Sequence, residues 1–232
     1  MEPDLTIIPN HLGLILDGNR RWAHDQDLSS QEGHYRGYQV LKDIAKYAFD
    51  KGVTYVSAFV FSTENWTRTK KEVRYLLDLT LKALTKDLAE LNEEGIRVLW
   101  LGSTNLLSDR LIKAIKRAEE KTRNNTHGTL CLCFNYGGQQ EIVDAVKKIV
   151  ASQIPADEIT QATVAGALYA PEVPSIDLII RTSGEQRLSG FMLYRSEYSE
   201  LYFTNKHWPA FTKFDLDKIL SDYAIRHRRF GK

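Results

Sequence analysis

The stretch HLGLILDGNRRW, His11 to Trp22, decides the reading of the fold. A run of mostly aliphatic residues stops at Asp17-Gly18-Asn19, and Arg20 and Arg21 follow at once. A short apolar run closed by turn residues reads as a buried strand, and the polar text marks where it leaves the sheet. The pattern recurs: VTYVSAFVF ends at Ser62-Thr63-Glu64-Asn65, IRVLWLG at Gly102-Ser103, TLCLCFN at Asn135-Tyr136-Gly137-Gly138, and IDLII at Arg181-Thr182-Ser183-Gly184. Helical patterns lie between these runs: YRGYQVLKDIAKYAFDKG, a long KKEVRYLLDLTLKALTKDLAELNEEG, one around 106–123 and one over 139–151. The alternation predicts an α/β fold, a single domain over 1–232, with a central, mostly parallel β-sheet of about six strands flanked by helices. Residues 1–10 are expected to be a flexible N-terminus.

In a parallel sheet the carboxyl ends of the strands share one edge, where ligands bind. The polar clusters therefore converge. The long helix carries Val73, Leu76, Leu77, Leu81, Leu84, Leu88 and Leu91, with Leu79 off the main stripe. That surface is broader than one docking face needs. Two readings stay open: a deeply buried helix, or one that also walls an apolar cavity.

The chain of 232 residues suits one sizeable core. Its 31 Lys and Arg nearly balance 30 Asp and Glu, so no bulk field argues for nucleic acid, and any basic site is local. Cys131 and Cys133 fall on the same side of a strand and fit two reduced core residues better than a metal pair, which implies a cytoplasmic setting. MEPDLTIIPNH has no basic segment before an apolar core, and no run approaches the length that crosses a bilayer.

No P-loop and no Gly-x-Gly-x-x-Gly fingerprint is present, so phosphate would need another cradle. Arginine supplies one. Arg20, Arg21, Arg68, Arg181 and Arg187 sit beside turn residues at three strand ends, and planar guanidinium groups grip phosphate through paired hydrogen bonds. Two phosphorylated groups would be held at once. Carboxylates beside bound diphosphate call for a divalent cation, and Mg²⁺ uses one or two carboxylates plus phosphate oxygens. Asp17 leads, with Glu185, Glu197 or Glu200 as the second. His34, in Gly33-His34-Tyr35-Arg36-Gly37 at a helix start, either faces the same anion or merely caps the helix. His127, His207 and His227 are too scattered for zinc, and no nucleophile elbow supports a hydrolase.

Taken together, HLGLILDGNRRWA, the FSTENWTR loop, NYGGQQEIVDAV and DLIIRTSGEQRLSGFMLYRSEYSELYFTNKHWP resemble the cis-prenyltransferase family, in order, from about His11 to the closing RHRRFG. The resemblance implies an undecaprenyl diphosphate synthase-like fold with an apolar substrate tunnel. It implies Mg²⁺-dependent condensation of isopentenyl diphosphate with an allylic diphosphate, such as farnesyl or geranyl diphosphate, into a Z-configured polyprenyl diphosphate. Asp17 resembles the aspartate that binds Mg²⁺ and assists diphosphate departure. Gly18, Asn19, Arg20, Arg21, Trp22 and His34 match the allylic site, with Ser30 at a position there. Ser62, Thr63 and Glu64 match the loop after the second strand. Asn65 matches the residue assigned as proton acceptor, though a neutral amide is a poor base and substrate positioning is an equal reading. Trp66 and Arg68 match its substrate-contacting neighbours. Arg181, Arg187, Leu188 and Ser189 match the isopentenyl diphosphate site, and Glu200 the second metal-linked carboxylate.

The sequence departs from the family at Ser30, where an arginine is usual, at Gly190 for asparagine, and at Tyr194-Arg195 for a tryptophan-glutamine pair. Val60 is bulkier than the small residue of long-chain members and would narrow the tunnel, unless it simply reflects strand propensity. A short-chain product or another regiochemistry stays open. So does a non-catalytic accessory subunit, against which Asp17, Asn65, Arg181 and Arg187 all argue. The resemblance further implies a homodimer and peripheral membrane contact through the lipid product.

Overall fold

The strand that ends at Asp17, β1 (His11–Ile15), lies inside a six-stranded sheet. Its companions are β2 (Tyr55–Ser62), β3 (Ile96–Leu101), β4 (Gly128–Tyr136), β5 (Leu178–Arg181) and β6 (Glu200–Phe203). The order is β3-β4-β2-β1-β5-β6, and every pair is parallel. The structure, a computed structural model, describes residues 7–226. Of the expected N-terminal tail, residues 1–6 lie outside the described residues, as does the RHRRFG stretch from His227 onward. Ile8 packs on the core, and the Asn10 carbonyl accepts from the amides of Thr54 and Tyr55.

Every residue of β1 is buried, as befits a strand covered on both faces. Leu12 and Leu14 point into one cluster with Val56, Ala58, Leu178 and Ile180. Ile15 joins the opposite cluster with Cys131, Cys133, Tyr136 and Ile179. Each fully buried Leu or Ile contributes roughly 1.5–3 kcal/mol over exposure, so β1 is fixed from both sides. Both cysteine thiols are free and buried; burial pushes Cys131 up to about 12 and Cys133 well above its ordinary value.

A short helix, α1 (Asn19–Asp25), follows the Asp17-Gly18 turn. Next comes α2 (Ser30–Asp50), started by a capping box in which the Ser29 hydroxyl accepts from the Glu32 amide and the Glu32 carboxylate accepts from the Ser29 amide. Its Val40, Leu41, Ile44, Ala48 and Phe49 seal the first cluster. The long helix expected over 70–95 is two: α3 (Lys70–Ala83) and α4 (Leu88–Glu93). Thr80 and Thr85 turn their hydroxyls onto the carbonyls of Leu76 and Leu81, which bends a helix. Asp87, in the break, accepts a 2.6 Å hydrogen bond from Tyr38 of α2. The remaining helices are α5 (Asp109–Thr122), α6 (Gly138–Ala151), α7 (Gln161–Ala167) and α8 (Lys213–Ala224). None among the described residues is long and apolar enough to cross a membrane.

From β1 the chain crosses to β2 on one side, while β5 lies on the other. The order therefore reverses at β1 and β5, and a crevice opens at their carboxyl ends.

Candidate active site

Asp17 and Arg181 face each other across that crevice. Arg181 is fixed by its own strand, and its side chain is 4% exposed against 36% for Asp17. Its Nε and Nη2 donate to Asp17 Oδ2 at 3.0 and 2.7 Å. Its Nη1 donates to Ser189 Oγ at 2.9 Å and to the Arg187 carbonyl. One guanidinium thus ties the end of β1 to the loop after β5. The Asp17 carbonyl accepts from the Trp208 amide at 2.9 Å and from Thr182 Oγ1 at 2.7 Å.

Gly18 adopts φ +100°, and a Cβ there would lie 2.6 Å from Ser183 Oγ and 2.7 Å from His207 Nδ1. Only glycine suits both the backbone and the space. Asn19 donates from its amide to the Leu16 carbonyl at 3.0 Å and packs against Gly37 of α2. Arg21 donates to the Ser183 carbonyl and to Glu185.

On the other wall, Glu72 of α3 gathers three of the groups singled out in the sequence. Arg68 Nη1 lies 2.9 Å from Glu72 Oε1, His34 Nε2 3.3 Å from the same oxygen, and Arg20 Nη1 3.5 Å from Oε2. Burial lowers the His34 pKa, opposed by the Glu72 carboxylate. Ser62, Thr63, Glu64 and Asn65 form the turn after β2: the Ser62 amide donates to Asn65 Oδ1 at 3.2 Å, and Thr63 Oγ1 donates to Glu64 at 3.0 Å. Trp66 Nε1 donates to Asn135 Oδ1 at 2.8 Å, and the Asn135 amide in turn bonds the carbonyls of Ser103 and Asn105.

These groups open onto a cavity of about 1220 Å³. Asp17, Gly18, Asn19, Arg20, Arg21, His34, Ser62, Thr63, Glu64, Asn65, Arg68, Arg181 and Ser189 line it. Below the polar mouth the walls are apolar: Leu76, Leu79, Ala83, Leu130, Leu132 and Phe134. The broad surface of α3 therefore walls a cavity, and Val60 lines it too.

Trp22, Ser30, Trp66, Arg187, Leu188 and Glu200 do not line this cavity. Ser30 is exposed at the first turn of α2. Leu188 packs on the cluster of Ile15 and Cys133, and Arg187 pairs with Glu185. Glu200 opposes Leu178, three register steps from the Arg181–Phe203 pair, or about 10 Å along the strand, and pairs with Arg226 at 3.0 Å. The other departures have clear places: Gly190, at φ +79°, accepts from the Gly138 amide at 2.9 Å, Tyr194 donates to the Gln161 carbonyl, and buried Arg195 pairs with Glu141 at 2.8 Å.

Glu72 and His207 also belong to the site, and no motif or spacing in the sequence singles them out for it. Thr69-x-x-Glu72 looks like a helix cap, and Thr69 does accept from the Glu72 amide, but the carboxylate serves the site. His207 approaches Ser183 Oγ at 2.5 Å and Asp25 at 3.4 Å, beside Gly18. Nothing local in Asn205-Lys206-His207 signals that contact.

Among the described residues no three His, Cys, Asp or Glu side chains form a closed metal cage. Mg²⁺ needs none, since phosphate oxygens and water complete its shell. Asp17 fits it: both Arg181 bonds fall on Oδ2, which leaves Oδ1 for a cation.

A family model described as "Putative undecaprenyl diphosphate synthase", a prenyltransferase model, matches residues 15–231. An isoprenyl transferase of Thermotoga maritima is 46% identical over 97% of both chains. The chain belongs to this prenyltransferase family. A trans,polycis-polyprenyl diphosphate synthase of Thermobifida fusca, specific for (2Z,6E)-farnesyl diphosphate, is 42% identical over 97% of this prenyltransferase and 81% of that protein. The lavandulyl diphosphate synthase of Lavandula x intermedia, solved with dimethylallyl diphosphate, superposes with a TM-score of 0.92 at 35% identity, covering 97% of this prenyltransferase and 98% of that chain.

Proposed function

We propose that this prenyltransferase condenses isopentenyl diphosphate with an allylic diphosphate and extends a Z-configured polyprenyl chain. One observation carries the reading: the Asp17–Arg181 pair spans the switch point of the sheet at the polar mouth of an apolar cavity. A charged head and a hydrocarbon tail need that division. Gly18, Asn19, Arg20, Arg21 and His34 would hold the allylic diphosphate, with Trp22 and Ser30 beside them. Arg181 and Ser189 would hold the isopentenyl diphosphate, with Arg187 and Leu188 beside them outside the cavity lining. Two cationic groups of walls facing one crevice would bring the alkene to the allylic carbon.

Mg²⁺, held by Asp17, would stabilise charge on the departing diphosphate. Glu200 sits too far along β6 to join Asp17 within one chain, so phosphate oxygens and water would complete the shell of an ion held by Asp17. The exposed stripe of Val143, Val146 and Val150 on α6 supports a homodimer. Ser62, Thr63, Glu64, Trp66 and Arg68 would shape the mouth. Asn65 has its amide oxygen committed to the Ser62 amide, so we assign it to positioning, with diphosphate as the better proton acceptor.

The test is purified protein with farnesyl or geranyl diphosphate, labelled isopentenyl diphosphate and Mg²⁺, with products sized. No incorporation from any primer by folded protein would overturn the reading. A second reading, a short-chain or irregular product, is supported by the likeness to the lavandulyl diphosphate synthase and gives one-step products in the same assay.

A further inference from the structure

Trp66 follows Asn65 and precedes Arg68, both of which line the cavity, yet it does not line the cavity itself. Its indole turns the other way. The ring packs edge-on against Phe61 of β2, with centroids 5.3 Å apart, and Phe61 stacks on Phe134 of β4 at 4.8 Å. Its Nε1 reaches Asn135, the next residue of β4, at 2.8 Å.

Asn135 is 3% exposed and adopts φ +50°, a conformation that asparagine tolerates better than most side chains. Chemistry settles which way its amide points. An indole N–H only donates and the carbonyls of Ser103 and Asn105 only accept, so Oδ1 faces Trp66 and Nδ2 the two carbonyls, each bond 2.8 Å long. One buried amide therefore ties the turn after β2 to the loop after β3. The Asn135 carbonyl adds a further link, accepting from the Ser103 amide at 3.1 Å.

Two residues on, Gly137 leaves room for Thr63: a Cβ there would lie 2.6 Å from Thr63 Oγ1. The end of β4 thus supports the Thr63–Thr67 turn at two points. The strand ladder does not fix that turn unaided, because the β2 and β4 register shifts between Phe59 and Phe61 and again between Phe61 and Ser62. A bulged strand end bends freely without another restraint.

We propose that Asn135 is a positioning residue of the transferase: through the Trp66 indole it holds Asn65 and Arg68 at the mouth of the cavity. The inference rests on the prenyl-transfer reading above. Asn65, Trp66 and Arg68 belong to one short turn, so a released indole lets both cavity-lining neighbours drift, and small displacements at a reacting centre cost rate steeply.

The experiment compares wild type with Asn135→Gly, Trp66→Phe and their double variant, using farnesyl diphosphate, labelled isopentenyl diphosphate and Mg²⁺. Glycine suits the positive φ and removes only the amide; phenylalanine keeps a ring and removes the N–H. Each single variant is expected to lose about tenfold or more in kcat. The isopentenyl diphosphate KM, set by Arg181 and Ser189 on the other wall, should stay within about threefold. The double variant should lose no more than the worse single one, because the same tether is cut twice. The indole N–H NMR spectrum reads the tether without turnover: the Trp66 signal, identified as the one missing in Trp66→Phe, should shift in Asn135→Gly.

A kcat within about twofold of wild type in either single variant, losses that multiply in the double variant, or an unmoved Trp66 signal overturns the proposal. If Asn135→Gly does not fold, the kcat of Trp66→Phe decides alone. A wild-type protein that incorporates nothing from any primer instead overturns the transferase reading. Calorimetry with a farnesyl diphosphate analogue whose bridging oxygen is replaced by sulfur then judges the tether: affinity should fall about fivefold in both single variants, and equal affinity counts against it.

Discussion

Arg181 places both of its hydrogen bonds to Asp17 on a single oxygen, Oδ2, at 3.0 and 2.7 Å. The carboxylate is thereby held by one oxygen and open at the other. Asp17→Asn keeps the shape and removes the charge. Turnover is expected to fall by about 10²-fold or more, as for loss of a principal electrostatic contact, with allylic KM within about threefold. Steady-state kinetics decide it, and near-normal turnover would remove this carboxylate from the chemistry.

Glu72 holds Arg20, Arg68 and His34 in one arrangement. In Glu72→Gln the guanidinium groups lose their anchor, and allylic KM should rise about tenfold, roughly 1.4 kcal/mol, the size of one charge-assisted hydrogen bond. The His34 pKa should fall further, since the Glu72 carboxylate is what opposes burial. An NMR titration of His34 reads this separately from activity.

Gly18→Ala puts a methyl group within 2.6 Å of Ser183 Oγ at φ +100°. Left-handed backbone and overpacking together should cost about 2–4 kcal/mol, visible as a lower denaturant midpoint with unchanged slope. A stability equal to wild type would mean that the Ser183–His207 contact moves aside freely.

His11 is fully buried, with Nδ1 at 2.9 Å from the Pro174 carbonyl and Nε2 at 2.8 Å from Ser57 Oγ. A carbonyl only accepts, so Nδ1 carries the proton and Ser57 donates to Nε2. Burial lowers its pKa from 6.5 to about 4. Between those values the unfolded chain takes a proton that the native state refuses. Its contribution, on the order of 3 kcal/mol, is therefore complete above pH 6.5 and lost as pH falls toward about 4. Chemical denaturation across that window should show a steeper loss in wild type than in His11→Gln. Parallel curves would count against the assignment.

Ser30 lies exposed at the start of α2, outside the cavity lining. Ser30→Arg adds a cation near the mouth and should lower allylic KM, against a stability loss of about 0.3–1 kcal/mol from placing a cation at a helix N-terminus. An unchanged KM would show that Arg20 or Arg36 already fills the role.

The strand runs were legible because each is mostly apolar and ends in turn residues, as at Asp17-Gly18-Asn19 and Arg181-Thr182-Ser183. β6 was harder: Glu200–Phe203 is a short edge strand with a charge at its first position. The α3–α4 break carries no Gly or Pro; threonine back-bonds and a distant tyrosine make it. Asp17 and Arg181 stood out because a charge beside a buried strand needs a reason. Glu72 did not, because a carboxylate three residues after Thr69 already has one as a cap. His207 is legible only from the Gly18 turn it covers, contributed from far away in the chain.

Cys131 and Cys133 sit on β4, one strand in from the β3 edge, with no solvent contact, on the face opposite the cavity-lining Leu130 and Leu132. Substrate traffic therefore passes them by, while any opening that bares them must strip cover from β4, paired on both sides by β2 and β3. The two thiols thus make an intrinsic clock: their alkylation rate reports how often the sheet itself comes apart, whatever the mouth and α4 are doing.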